Sequence, residues 1–251
     1  MKVQTLASGS KANCSIVLCD KVKLIIDAGI SYISIKRNLE ENSLSFDDFK
    51  GMLITHNHND HIKGLNSIIK HTNLTLYVTE KMYQSIKDIV PESRCNFIAD
   101  SFKIEDVEIE LIHTSHDAPA SVGYIITHQG KSLVYVTDTG YINRKYLVKM
   151  TNKDIYIIES NHDEIMLMDG PYPRFLKDRI ISDVGHLSNK TTRKYLQKLI
   201  GPNTEYIVLA LLSETNNSKE LAYNTLKDAI KEENIKILIA EQDKPSDLIE
   251  V

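Results

Sequence analysis

The chain has 251 residues, of which 42% are apolar and 25% charged, and carries a formal net charge of −4. That length fits one large domain with a well-buried core, so the expected organisation is a single domain over 1–251. The mild acidity excludes a strongly basic protein that coats nucleic acid, while leaving room for an enzyme that meets it through a local patch. Three cysteines, Cys14, Cys19 and Cys95, are an odd count without a C-x-x-C pair. Neither a disulfide framework nor a thiolate zinc site is expected, and a reduced cytoplasm is the plain setting. The N-terminal MKVQTLASGSKANC lacks the apolar core of a signal peptide, and no apolar run reaches membrane-span length, so no membrane partner is expected.

In chain order, strand-like runs and helical patterns alternate unevenly. SIVLCD and VKLIIDAG precede a helix over Tyr32–Glu41; GMLITH precedes one over His61–His71; LTLYVTE precedes one over Lys81–Val90. Then VEIELIHTSH, VGYIITH and KSLVYVTDTG follow one another, with THQGKS reading as a hairpin turn. Helices over Arg144–Thr151, Lys190–Leu199 and Lys219–Glu232 surround DIYIIESNHD, EYIVLALLSE and IKILIAEQD. Short β-branched runs ending in polar residues read as strands, so the class is α/β. The hairpins argue against a simple doubly wound parallel sheet. Asp27, His56, His116, Asp138 and His162 each stand just after a strand-like run. Side chains on loops beyond strand ends are where a scaffold aims its chemistry, so one shared edge is expected.

The stretch THNHNDHIKG carries three histidines and an aspartate in six positions. At this chain's own His and Asp frequencies, H-x-H-x-D-H arises by chance roughly once in a thousand, so a metal cradle outweighs a polar loop. His56 and His58 are two apart and point the same way from extended backbone. Asp60 and His61 follow as the chain turns into a helix and suit a second ion. Imidazole with carboxylate, and no thiolate, suits zinc, manganese or iron in a catalytic rather than structural role.

These residues resemble the metallo-β-lactamase fold superfamily, whose signature is H-x-H-x-D-H. IIDAG is similar to its first motif, with Asp27; TSHDAPASVGY supplies His116 and VTDTG supplies Asp138. ASGSKAN, ESNHD, ISDVGHLSN and LSETNN further resemble the YycJ/WalJ group of phosphodiesterase-type, exonuclease-like hydrolases. The resemblance implies a four-layer αββα sandwich, two divalent ions (zinc or manganese), DNA as substrate and a bacterial cytoplasmic setting. It implies one ion on His56, His58 and His116, and another on Asp60, His61 and a bridging Asp138. Two departures stand out. Ala12 replaces the usual glycine of S-G-S-x-G-N, and Leu211 stands where the group's closing motif has its seventh ligand, a histidine. The second ion site is therefore expected to be weak or empty.

Two such ions would hold an attacking hydroxide, with Asp60 and Asp138 accepting its hydrogen bonds. His186 is the candidate that gives the leaving alkoxide its proton, the alternative being a hydrogen bond that orders its loop. Asp27 is expected to orient a ligand imidazole. His162 is read as a substrate-side or supporting residue. Ser213, Asn216 and Asn217 are candidate phosphate donors, or else a structural turn before a helix. Between Arg174 and Lys198 lie seven basic residues against Asp178 and Asp183, a strip suited to a nucleic-acid backbone or simply a solvated helix face. Two other readings remain: a hydrolase of small phosphodiesters or thioesters, and a catalytically weak one-metal protein that binds nucleic acid or a partner.

Overall fold

The computed structural model describes residues 1–251 apart from 231 and 233. The chain divides into two compact units, one of residues 1–111, 118–122 and 241–251, the other of residues 112–117 and 123–240. In chain order the strands are β1 (Lys2–Ala7), β2 (Cys14–Cys19), β3 (Val22–Ile26), β4 (Gly51–Leu53), β5 (Leu76–Val78), β6 (Cys95–Phe97) and β7 (Ser101–Ile104). They continue as β8 (Val107–His113), β9 (Val122–His128), β10 (Lys131–Val136), β11 (Ile155–Glu159), β12 (Tyr206–Ala210), β13 (Lys236–Ile239) and β14 (Ile249–Glu250). Among the described residues they form two mixed sheets, ordered β14-β1-β2-β3-β4-β5-β6 and β13-β12-β11-β10-β9-β8-β7. Helices flank both, giving the α/β class that the resemblance implies.

In the first unit, β1, β2 and β3 pair antiparallel, and β3, β4, β5 and β6 then run parallel. Parallel pairing sets the C-terminal ends of β3 and β4 side by side, with Ile26 opposite Leu53. Asp27 and Thr55 therefore leave the sheet at one edge. Ile16, Ile25 and Met52 share a buried cluster with Ile35 and Leu39 of the helix Tyr32–Glu41 and with Leu65 and Ile68 of the helix Leu65–His71. The alternation of strand side chains and the i, i+4 spacing on the helices create that shared face.

In the second unit, β10, β11, β12 and β13 are parallel, and β9 joins β10 through the predicted hairpin. Gln129 and Gly130 both have positive φ there, the conformation such a two-residue turn needs. Val136 lies opposite Ile158 and Glu159 opposite Ala210, so Asp138, Glu159 and Leu211 emerge at one edge. Val134, Tyr156, Ile158, Ile207 and Leu209 pack with Tyr146, Met150, Leu196, Leu199 and Leu226 from three helices.

The helix expected over Tyr32–Glu41 forms with those bounds, capped by Ser31. The one expected over His61–His71 is broken into Asn59–Ile62 and Leu65–His71. Gly64 donates its N–H to Ala28 O at 2.7 Å instead of continuing a single helix, and a Cβ there would meet Ile30 O at 2.2 Å. Only Glu80–Tyr83 is helical in the stretch read as Lys81–Val90; i→i+3 turns carry the rest. Lys219–Lys227 forms the last helix, and residue 231 of its expected extension lies outside the described residues. Helices at Glu164–Asp169 and Arg174–Ile181, and strands β1, β6, β7 and β14, were absent from the sequence reading.

Candidate metal centre

In the first unit the edge beyond β3 and β4 is built by three loops. Asp27 has a φ of 62° and is buried. Its carboxylate accepts from Thr55 N and Thr55 Oγ1, both at 2.8 Å, and from His61 Nδ1 at 2.7 Å. Burial pushes the Asp27 carboxyl up, against the pull of the His61 imidazole and the Thr55 donors. With Nδ1–H given to a carboxylate, His61 turns the lone pair of Nε2 outward, the tautomer a metal requires. His56 Nδ1 lies 3.1 Å from Thr55 Oγ1, whose own proton goes to Asp27, so His56 is set the same way. The ligand atoms of His56 and His58 lie within 4.8 Å of each other, as do those of His56 and His61.

Asp60 and His61 share a support that the sequence reading missed. Asn13 Nδ2 lies 3.1 Å from Asp60 Oδ2 and 3.0 Å from His61 Nε2. Asn13 is itself held by Gly9, which donates to Oδ1 and accepts from Nδ2. The S-G-S-x-A-N loop thus aims one amide at two donor atoms that lie 3.4 Å apart. Ala12 has no positive φ, so losing the group's glycine there costs no backbone strain.

In the second unit Asp138, with a φ of 55°, and His116 are the candidate donors. His116 Nδ1 donates to Val184 O at 3.2 Å, which leaves Nε2 to face Asp138 Oδ1 at 3.6 Å. Beside them His186 Nδ1 donates to Glu159 Oε1 at 2.6 Å and lies 3.9 Å from Asp138 Oδ1. Desolvation pulls the His186 imidazole down, yet the buried Glu159 carboxylate, with Asp138 and Asp117, holds it up at about 9. Glu159 is fixed in turn by Thr139 N at 3.0 Å. Glu159 was not singled out from the sequence; its only signal was the ESNHD motif. Gly185 permits the turn that presents His186, since a Cβ there would meet Ile180 O at 2.2 Å.

Leu211 is buried at the end of β12 with a φ of 57°, and its carbonyl accepts from Asn161 Nδ2 at 2.9 Å. Asn217 Nδ2 donates to Ser160 O, Asn161 O and Asn189 Oδ1. Ser213 Oγ accepts from Asn216 N at 3.1 Å. These three buried residues knit the loops after β11 and β12. His162 is buried and lines a cavity with His186. In the basic strip, Arg174 pairs with Asp178, Lys190 with Glu164, and Arg179 with Asp117. Lys194 and Lys198 stay exposed without a carboxylate partner among the described residues. The imidazoles of His56, His61 and His116, each held at Nδ1, and the carboxylate donors fit a divalent metal in chemistry. No helix among the described residues is long and apolar enough to cross a membrane.

A family model described as a β-lactamase superfamily domain matches residues 23–207. The exodeoxyribonuclease YycJ of Bacillus anthracis is 34% identical over 232 residues, covering 90% of this chain and 88% of that protein. The exodeoxyribonuclease WalJ of Streptococcus pneumoniae is 36% identical over 241 residues, covering 93% and 90%. Among solved structures, YhfI of Bacillus subtilis, a metallo-β-lactamase fold protein, superposes with a TM-score of 0.71 at 14% identity, covering 98% and 99%. Zinc-bound PqqB of Methylobacterium extorquens gives 0.72 at 15%, covering 98% and 100%. These two likenesses carry the fold; the two exodeoxyribonucleases carry the family. The chain is a metal-dependent hydrolase and belongs to the YycJ/WalJ group of the metallo-β-lactamase fold superfamily.

Proposed function

We propose that the chain is a phosphodiesterase of the exonuclease type acting on DNA in the bacterial cytoplasm. In this reading His56, His58 and His116 hold one divalent ion, zinc or manganese. Asp60, His61 and Asp138 hold a second ion, weakly because Leu211 offers no ligand atom. Such ions, when bound, supply Lewis acidity at the phosphoryl group and lower the pKa of the attacking water. Asp60, steadied by Asn13, accepts a hydrogen bond from that water. Asp27 keeps His61 in its ligand tautomer. His186 gives the proton of Nε2 to the leaving alkoxide, while Glu159 holds Nδ1 and balances the charge. The names of the two bacterial relatives support DNA as the substrate, and three free cysteines suit a reducing compartment.

The observation that carries the reading is the Glu159–His186 pair beside Asp138 and His116. An imidazole held by a buried carboxylate at a carboxylate/imidazole donor pair is suited to a leaving group that departs as an oxyanion. The test is metal content per chain by elemental mass spectrometry after zinc and manganese titration, with hydrolysis of single- and double-stranded DNA measured on the same samples. Metal-dependent release of nucleotides from DNA ends is expected. Loaded protein that leaves DNA intact overturns the reading. Leu211 favours one alternative, a one-metal protein that binds nucleic acid with little turnover; a single ion, tight DNA binding and no cleavage would establish it.

A further inference from the structure

We propose that the cavity beside His186 in the second unit binds the base and sugar of one nucleotide, the terminal one of the strand being degraded. This deepens the phosphodiesterase reading and rests on it for the identity of the strand. The cavity is about 320 Å³ and is lined by Gly140, His162, Glu164, Met168, Ile181, His186, Ser188 and Thr191. That is the small end of the ~300–1,000 Å³ usual for small-molecule sites, enough for one nucleoside and too little for a base pair.

Its walls divide by chemistry. Met168 and Ile181 are 42% and 51% exposed, two apolar side chains suited to the faces of a base. Gly140 adds side-chain-free backbone to the lining, and the close approach of Asp183 O, 2.3 Å from where a Cβ would stand, keeps it glycine. His162 is 2% exposed, and its Nδ1 has no hydrogen-bond partner among the described residues. Leaving a buried polar atom without a partner is unfavourable, so a ligand that supplies one is favoured there. Burial, helped by the nearby His186 charge, holds the His162 imidazole down at about 4. At neutral pH it therefore offers one donor and one acceptor, as the edge of a base does.

Charge orients the ligand. Glu164 accepts from Ser188 Oγ at 2.9 Å and pairs with Lys190 at 3.0 Å. A carboxylate on the wall disfavours a phosphate inside, while His186, hydrogen-bonded to Glu159, lines the same cavity. The neutral base and sugar go in, and the phosphate stays at His186. An exonuclease that grips one nucleoside beside its proton donor removes residues from an end rather than cutting within a duplex.

The test titrates dAMP, dTMP and inorganic phosphate into the protein by calorimetry, for the native chain and for Met168→Trp and His162→Phe. Met168 is at the rim, so its replacement fills the cavity without disturbing buried packing; His162→Phe keeps the ring and removes its nitrogens. Native protein is expected to bind the nucleotides at least tenfold tighter than phosphate, and both variants to lose that preference. Equal binding of nucleotides and phosphate, or a preference untouched by either variant, overturns the proposal. DNA hydrolysis is measured alongside. Nucleotide preference without hydrolysis would sink the nuclease reading and leave the pocket standing; hydrolysis without preference would do the reverse.

Discussion

Asp27 holds a left-handed backbone, spends one carboxylate oxygen on Thr55 N, and gives the other to both Thr55 Oγ1 and His61 Nδ1. Asp27→Asn keeps an acceptor for Thr55 N but removes the charge that fixes the His61 proton. Metal affinity is expected to fall 10–100-fold, read by chelator competition; a change under twofold would remove Asp27 from the site. Glu159→Gln tests the proton donor: kcat on DNA is expected to drop at least ~100-fold with KM little altered. Combined with His186→Ala it should add nothing further, because both act through one imidazole. Leu211 is a bulky residue at a φ of 57°, a conformation that costs an L side chain roughly 1–2 kcal/mol and that histidine tolerates better. Leu211→His is expected to raise bound metal from one ion to two and to speed hydrolysis at least tenfold. Unchanged stoichiometry would mean that the seventh ligand is dispensable or comes from elsewhere.

At the scale of elements, the first unit's edge depends on backbone contacts between loops far apart in sequence. Asn13 N donates to Asp60 O at 2.8 Å, Gly29 N to Asn13 O at 2.9 Å and Ala28 N to His61 O at 2.7 Å. A Cβ on Gly29 would lie 1.8 Å from Asp60 O and 2.4 Å from Asn13 N. Gly29→Ala must therefore push the Asp60–His61 turn away from the Asn13 loop. Overpacking of this kind costs about 1–3 kcal/mol. A lower thermal midpoint is expected together with weaker metal binding; an unchanged pair of values would show that the loops do not position the ligands. The same contacts explain why one predicted helix is two. Periodicity over His61–His71 read correctly as helical, but Gly64 is bonded to Ala28, a partner that local pattern cannot reveal.

At the scale of the whole molecule, acid stability carries a signature of His162. Its folded pKa is about 4 against an ordinary 6.5, so the fold favours the neutral ring. The unfolded chain binds the extra proton first, between pH 6.5 and 4, and stability falls as pH drops through that window. The shift corresponds to roughly 3 kcal/mol at one site. Desolvation dominates, His186 adds to it, and Glu164 and Asp163 oppose it. Urea unfolding of His162→Gln is expected to show a flatter dependence than the native chain across that window; parallel curves would place the acid sensitivity elsewhere. The acidic balance of the chain likewise understates its pairing: three of the seven strip cations are neutralised by carboxylates, so any backbone grip there falls to the remainder, Lys194 and Lys198 among them.

Residue spacing alone determined the α/β class, most of the strand positions and the H-x-H-x-D-H motif as a candidate donor set, because strand alternation and an i, i+2 histidine pair are local properties of a chain. It also placed Asp27, His116, Asp138 and His162 after strands, where the structure has them. Tertiary structure alone decided what supports them. Glu159 meets His186 across 27 residues and Asn13 meets Asp60 across 47. It also set Arg179 of the basic strip against Asp117 and left His162 Nδ1 buried without a hydrogen-bond partner in a residue that lines a cavity. Such partners are chosen by which strand ends the sheets bring together, and a buried carboxylate or amide has the same local sequence signal whether it orients an imidazole or merely fills a turn.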